Sequence, residues 1–206
     1  MSRLDTLGST LVMPFAFFDR LSPRRRRIYL ASDAIVSVTL PAGTSGAAIT
    51  ALRTSLERED RKGTEVTCQT LLDDLCARLG VPPLEVKVYA KRPQLSGAEL
   101  HGLYEPNGEG KPPKVSVWMR TAQRRQVVAF KTFLRTVLHE LCHHLDYELY
   151  RLPETFHTEG FYKRESDLVQ KVLAEEAARG VSASLAGRHT GGVPTRVLGP
   201  RLQLEP

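Results

Sequence analysis

A chain of 206 residues, 41% of them hydrophobic, is long enough to bury a core in one domain with extensions, and it needs no disulfide staples. Its formal net charge of +6 leaves room for a nucleic-acid or other anionic partner, but the basic residues are dispersed. The one dense run is residues 24–27 (RRRR), with smaller clusters at 91–92 and 124–125, as on a solvated face.

Cys68, Cys76 and Cys142 are few, widely spaced and outside any C-x-x-C, which argues against a disulfide framework or a cysteine zinc site and fits a reducing compartment. Near the N-terminus, residues 11–18 (LVMPFAFF) look like a signal-peptide core. Asp5, Asp19 and Arg20 flank them and no small-residue cleavage site follows, so they read as a buried or docking segment. No apolar run approaches the roughly 18 residues needed to span a membrane. A soluble, cytoplasmic protein with no membrane partner is expected.

Residues 28–40 (IYLASDAIVSVTL) carry the β-branched content of a strand. Residues 41–46 are a loop, and 47–62 a charge-laced helix that Gly63 should end. A stronger helix covers 67–79, with Leu71, Leu72, Leu75, Cys76 and Leu79 on one stripe. Gly80 stands at its C-terminal cap and Pro82-Pro83 block continuation. The cysteines in it are core residues rather than reactive thiols.

Three strands follow: 84–89 (LEVKVY), a weaker one at 99–104, and 115–119 (VSVWM), with an Asn-Gly turn inside 105–113. They should form an antiparallel sheet. His101, a lone histidine in the weak strand, reads as structural or exposed.

A helix over 123–151 then carries two stripes. Phe130, Leu134, Val137, Leu141, Leu145 and Leu149 recur at spacings of three and four and face the core. Thr132, Thr136, His139, His143, Tyr147 and Tyr150 form a second, chemical stripe. Pro153 stops the helix. Residues 163–179 make a last helix, and 181–206 a mobile tail. The organisation is an N-terminal extension (1–64, strand plus charged helix), a central domain (65–180) and a flexible basic tail (181–206).

His139, Glu140 and His143 spell H-E-x-x-H. Histidines at i and i+4 leave one helical face about 6 Å apart along the axis, where one Zn²⁺ can take both. Glu140 is angled poorly for a ligand and well for a general base. A catalytic zinc needs a third protein ligand and an open position. His144 points about 100° away from His143. Asp146 is too far along the helix, and suits an acceptor for the far N–H of His143. His157 follows the reversal at Pro153 and can return to the metal; Glu165, Glu154 and Glu159 are the other candidates. Tyr147, Tyr150 and Tyr162 are candidates for oxyanion stabilisation. Cys142 is off the ligand face.

The stretch HELCH at 139–143, a reversal, and HTEGF at 157–161 resemble the SprT-like zinc metalloproteases of the zincin superfamily. There a later histidine, commonly in His-Gly-x-x-Phe, completes the zinc site. Phe161 stands four residues after His157 as the pattern requires, while Thr158 takes the glycine's place. The metzincin spacing fails at Leu149. The resemblance covers roughly residues 65–175. It implies an α+β, zincin-like fold: a small antiparallel or mixed sheet packed on the HExxH helix, with flanking helices. It also implies substrate addition at an edge strand, and in part of the group a role on DNA-bound proteins; the four-cysteine ribbon of some members is missing. The expected function is a zinc-dependent protease cleaving peptide or protein substrates with a zinc-activated water and Glu140 as base. The alternatives are a DNA-associated SprT-type protease and a non-catalytic zinc-binding interaction module.

Overall fold

Ser22 and Pro23 open the first helix of the fold, which a computed structural model describes over residues 15, 17–43, 45–95, 98–108 and 110–188. Ser22 Oγ accepts the Arg25 N–H, and a proline at the first helical position loses no hydrogen bond. Helix α1 (Pro23–Asp33) thus takes residues 28–33 of the stretch expected as a strand. The capping signal outweighs the β-branched content, and Ile28, Tyr29 and Ser32 turn one face inward. Residues 35–40 belong to no helix or strand. Side chains of the last helix bind them instead: the buried Val38 donates its N–H to Asp167 at 2.9 Å, and its carbonyl accepts from Lys171 at 2.6 Å.

Helices α2 (Gly46–Glu57) and α3 (Arg61–Leu79) break at residues 58–60, not at Gly63. Glu59 takes φ +56°, and Asp60 caps α3 by accepting the Gly63 N–H. A β-carbon on Gly63 would overlap the Asp60 carboxylate, so this glycine permits the cap that starts α3. Gly80, at φ +66°, ends α3 in the left-handed conformation expected of it.

Strands β1 (Glu85–Lys91), β4 (Gly102–Glu105) and β5 (Lys114–Arg120) form a sheet in the order β1-β5-β4, beside a two-stranded ribbon of β2 (Gln94–Leu95) and β3 (Ala98–Glu99). The sheet is mixed. The expected antiparallel pairing holds for β4 with β5, but β1 runs parallel to β5. Alternating hydrophobicity marks which face of a strand is buried and says nothing of its direction. The central β5 is buried over Val115, Ser116, Val117, Trp118 and Met119, and β4 is an edge.

Helix α4 (Phe130–Glu148) is shorter than expected at both ends. Residues 123–129 form a loop in which Arg125 has φ +52° and Val127 bridges back to Arg120. Helix α5 (Glu159–Arg188) is longer than expected, and residues 181–188, placed in the mobile tail, are helical. Ala183, Leu185 and Ala186 favour that continuation. Residues 189–206 of that tail lie outside the described residues. The architecture is α+β, five α-helices with the small mixed sheet, among the described residues.

The main core joins α2 (Ile49, Leu52, Leu56), α3, the sheet and α4 (Phe133, Leu134, Val137, Leu141, Leu145), closed by Phe161 and Leu168 of α5. Residues 46–57 therefore supply core to the helix that bears the HExxH motif. A smaller cluster sets Ile28 and Tyr29 of α1 against Leu152 and Phe156, under the loop after α4. No helix among the described residues is long and apolar enough to cross a membrane.

Candidate metal centre

The apolar stripe of α4 fixes the site's geometry. With Phe130, Leu134, Val137 and Leu141 buried, the motif's histidines leave the helix on another side, toward β4 and the start of α5. Leu149 ends the helix, and Arg151, at φ +55°, turns the chain back so that His157 faces the pair. One donor atom from each of His139, His143 and His157 lies within 4.8 Å of the others. His157 Nε2 is 3.0 Å from His139 Nε2 and 3.0 Å from His143 Nε2.

Contacts on the far nitrogens say what those edges carry. His139 Nδ1–H donates to Glu165 Oε2 at 2.8 Å, since a carboxylate can only accept. His143 Nδ1 is 2.7 Å from Thr155 Oγ1, and the Thr155 hydroxyl donates onward to Asp146 Oδ2 at 2.7 Å. The hydroxyl proton is thus committed, and His143 Nδ1–H donates to Thr155. In the neutral form both rings turn bare Nε2 lone pairs toward His157. One proton on His157 could satisfy one of them and not both. A cation resolves the repulsion: donors of a tetrahedral ion held at roughly 2.0–2.1 Å lie about 3.3 Å apart, close to the two spacings from His157. The donor set fits a metal ion.

Burial lowers the proton affinity of His143, with help from His139 and His157, to about 3. His157 is lowered as well, by burial and then by His139. Both are held in the neutral form that a metal needs. Burial alone would raise the Glu165 carboxyl, but hydrogen bonds from His139 and Arg135 outweigh it and hold it below the usual range. Arg135 Nε reaches the second oxygen of Glu165 at 2.5 Å. Glu165 therefore grips His139 from behind instead of joining the donor set.

Glu140, 5% exposed, lies beside the donors. Burial pushes its carboxyl up to about 7, against the opposing pull of His139 and of the Tyr104 backbone N–H that it accepts. That amide belongs to β4, so the free edge of the sheet faces the motif. Gly102, two residues earlier, lets the strand come this close: a β-carbon there would overlap the Glu140 carboxylate. Two clefts meet at Gly102, His139 and Glu140. One, of about 570 Å³, is lined further by His101, Thr132, Thr136 and Tyr162. The other, of about 280 Å³, is lined by Tyr104, Pro106, Tyr147 and Thr155.

The expected residues distribute unevenly around this centre. Tyr162 stacks on His157 at 5.8 Å, and Tyr147 stacks on Tyr104 at 6.0 Å, one at each cleft. Tyr150 points elsewhere, its hydroxyl toward the Ser37 carbonyl. His144 is fully buried between the Tyr104 hydroxyl and the Pro82 carbonyl, away from the donors. Asp146 does not touch His143: Thr155 stands between them. Glu154 pairs with Arg25, and Glu159 with Lys163. Phe161 is fully buried and packs its ring within 5.1 Å, centre to centre, of all three imidazoles. Sequence reasoning missed Thr155, Gly102 and Arg135. Only Arg135, one turn before His139 on the same face, carried a signal that could have been read. No protein-family profile, no curated protein and no solved structure matches this chain.

Proposed function

We propose that this chain is a zinc-dependent endopeptidase with His139, His143 and His157 as the metal ligands and Glu140 as general base. The observation that carries this reading is the convergence of three imidazoles beside a buried carboxyl, in a cleft bordered by a free strand edge. Among the described residues no fourth His, Cys, Asp or Glu joins the group, which favours an open coordination position over a closed structural site.

A bound zinc supplies Lewis acidity, polarising a carbonyl and activating water. The chain's own residues do the rest. Glu140, with a carboxyl near neutrality, is matched to taking a proton at Oε1 or Oε2 and returning it to the leaving amine. Strand β4 offers backbone groups to an extended peptide. A peptide added antiparallel to β4 places residues before the scissile bond in the Tyr104–Pro106 arm and those after it in the Thr132–Thr136 arm. A cleft continuing past the site on both sides suits cleavage within a chain.

The test is metal content together with turnover of an unfolded protein substrate. Purified protein should hold one zinc per chain, and Glu140→Gln should keep it while losing about 10²–10⁴-fold in rate. Hydrolysis unchanged in Glu140→Gln, or folded protein that takes up no zinc, would overturn the reading.

A further inference from the structure

The contact behind His143 does not end at Asp146. Asp146 Oδ1 accepts from Arg164 Nη2 at 2.6 Å, and both side chains are 0% exposed. The same guanidinium donates to three groups at the end of α1: the Ser32 carbonyl at 2.9 Å, Ser32 Oγ at 3.0 Å and the Ile35 carbonyl at 3.1 Å. Its Cζ lies 4.7 Å over the Phe161 ring, and its buried Nε has no hydrogen-bond partner. A buried arginine that leaves one N–H unpaired is costly to keep. Among the described residues its directional bonds run to Ser32 and Ile35, at and just past the end of α1, and to the acceptor of Thr155.

A second set of contacts reaches the other end of the site. Tyr29 of α1 packs at 5.9 Å against Phe156, the residue before His157. Asp33 accepts the Gly160 N–H at 2.8 Å, and a β-carbon on Gly160 would overlap the Asp33 backbone. Helix α1 thus supports the His157 loop directly and His143 through three side chains.

We propose that the Arg164–Asp146–Thr155 relay makes α1 a working part of the metal centre. It holds His143 in the tautomer that turns Nε2 to the metal, so metal affinity and the docking of α1 are thermodynamically linked. Arg164, Asp146 and Thr155 are positioning residues here. This rests on the metal reading above. Linkage is reciprocal: whatever α1 contributes to metal affinity, the metal returns to α1 docking.

The experiment uses the full chain with Zn²⁺ in a chelator competition, Co²⁺ as a spectroscopic probe, and hydrogen exchange of the α1 amides. Thr155→Val keeps the side chain's shape and removes the hydroxyl. It should weaken zinc binding about 10–100-fold and perturb the Co²⁺ absorption, as loss of a ligand's outer partner does. Thr155→Ser should restore affinity to near the starting value. Zinc should slow α1 exchange in the native chain and do so less in Thr155→Val. In the metal-free protein, ring ¹⁵N shifts should report Nδ1–H on His143, lost in Thr155→Val. Equal zinc affinity in Thr155→Val, or α1 exchange indifferent to zinc, would overturn the relay and leave the metal reading intact. A native chain that binds no zinc would overturn both.

Discussion

Gly102 of β4 and Glu140 of α4 stand so close that a β-carbon at residue 102 would overlap the glutamate's Oε1, Cδ and Cγ. Gly102→Ala must push back either the strand or the carboxylate. Zinc content should stay at the native level, because no ligand moves, while kcat/KM falls about 100-fold, the cost of a displacement near 1 Å. Full turnover with the alanine in place would mean that Glu140 does not act from this position.

Glu165 and His157 separate in a metal titration. Glu165→Gln keeps an acceptor for His139 Nδ1–H but loses the charge, and should weaken zinc binding about 10–100-fold. The Co²⁺ spectrum should stay that of an ion with three nitrogen donors. His157→Ala removes a donor and should change the spectrum itself. A spectral change in Glu165→Gln as large as that in His157→Ala would place the carboxylate on the metal.

Acid stability of the metal-free protein carries a sign that tests the burial of Glu140. His143 and His157 have folded-state pKa values below their unfolded ones, so the unfolded chain takes up more protons and stability is lost as pH falls below about 6.5. Glu140 works the other way. Its folded value, about 7, lies above the unfolded one, so protonation relieves a buried charge as pH falls from 7 toward 4.5. Between pH 7 and 5 this relief amounts to about 2 kcal/mol, of the same order as the loss at His143. Chelator-treated Glu140→Gln should therefore lose about 2 kcal/mol more than the native chain over that interval in urea titrations. Parallel losses in the two proteins would mean an ordinary carboxyl at Glu140.

The Arg164–Asp146 pair lends itself to a double-mutant cycle. Arg164→Met leaves Asp146 buried without its cation, at a cost of about 3–5 kcal/mol. Adding Asp146→Leu should recover most of that stability, because a buried ion pair contributes little beyond an apolar pair of similar size. The double variant should still bind zinc weakly, with the acceptor of Thr155 gone. Failure of the second change to rescue folding would point to Arg164's bonds to α1 as the larger contribution.

Larger side chains at Thr136 should reshape cleavage preference. Thr136→Phe fills part of the cleft lined by Thr132 and Tyr162. Peptide-library cleavage should show loss of bulky residues directly after the scissile bond and little change before it. Changes confined to the residue before the bond would reverse the assigned polarity.

What could be read from the chain follows from which interactions are periodic. HELCH on α4 was legible because i, i+4 geometry is local, and His157 because the chain had to reverse after α4, a turn made at Arg151 rather than at Pro153. The end of α3 was legible from Gly80. The stretch at 28–40 misled because β-branched residues argue for extension, whereas Ser22 and Pro23 set the helix start. The parallel pairing of β1 with β5 left no trace, since a half-buried strand alternates in either direction. Thr155 was invisible: a threonine in a loop acquires its role only from Asp146 and His143, nine and twelve positions away in sequence. Glu165 was noticed as a candidate ligand, but only the fold shows that it meets His139 at Nδ1.

Arg164 and Glu165 are neighbours on α5, yet they reach the two motif histidines from opposite flanks. Each helical residue advances the azimuth by about 100°, so inserting or deleting a single position between His157 and Arg164 would swing both away at once. Length variation in this chain should be forbidden across that interval and tolerated beyond residue 180. A deep mutational scan with single-residue indels would register that interval as forbidden, starting at the third histidine.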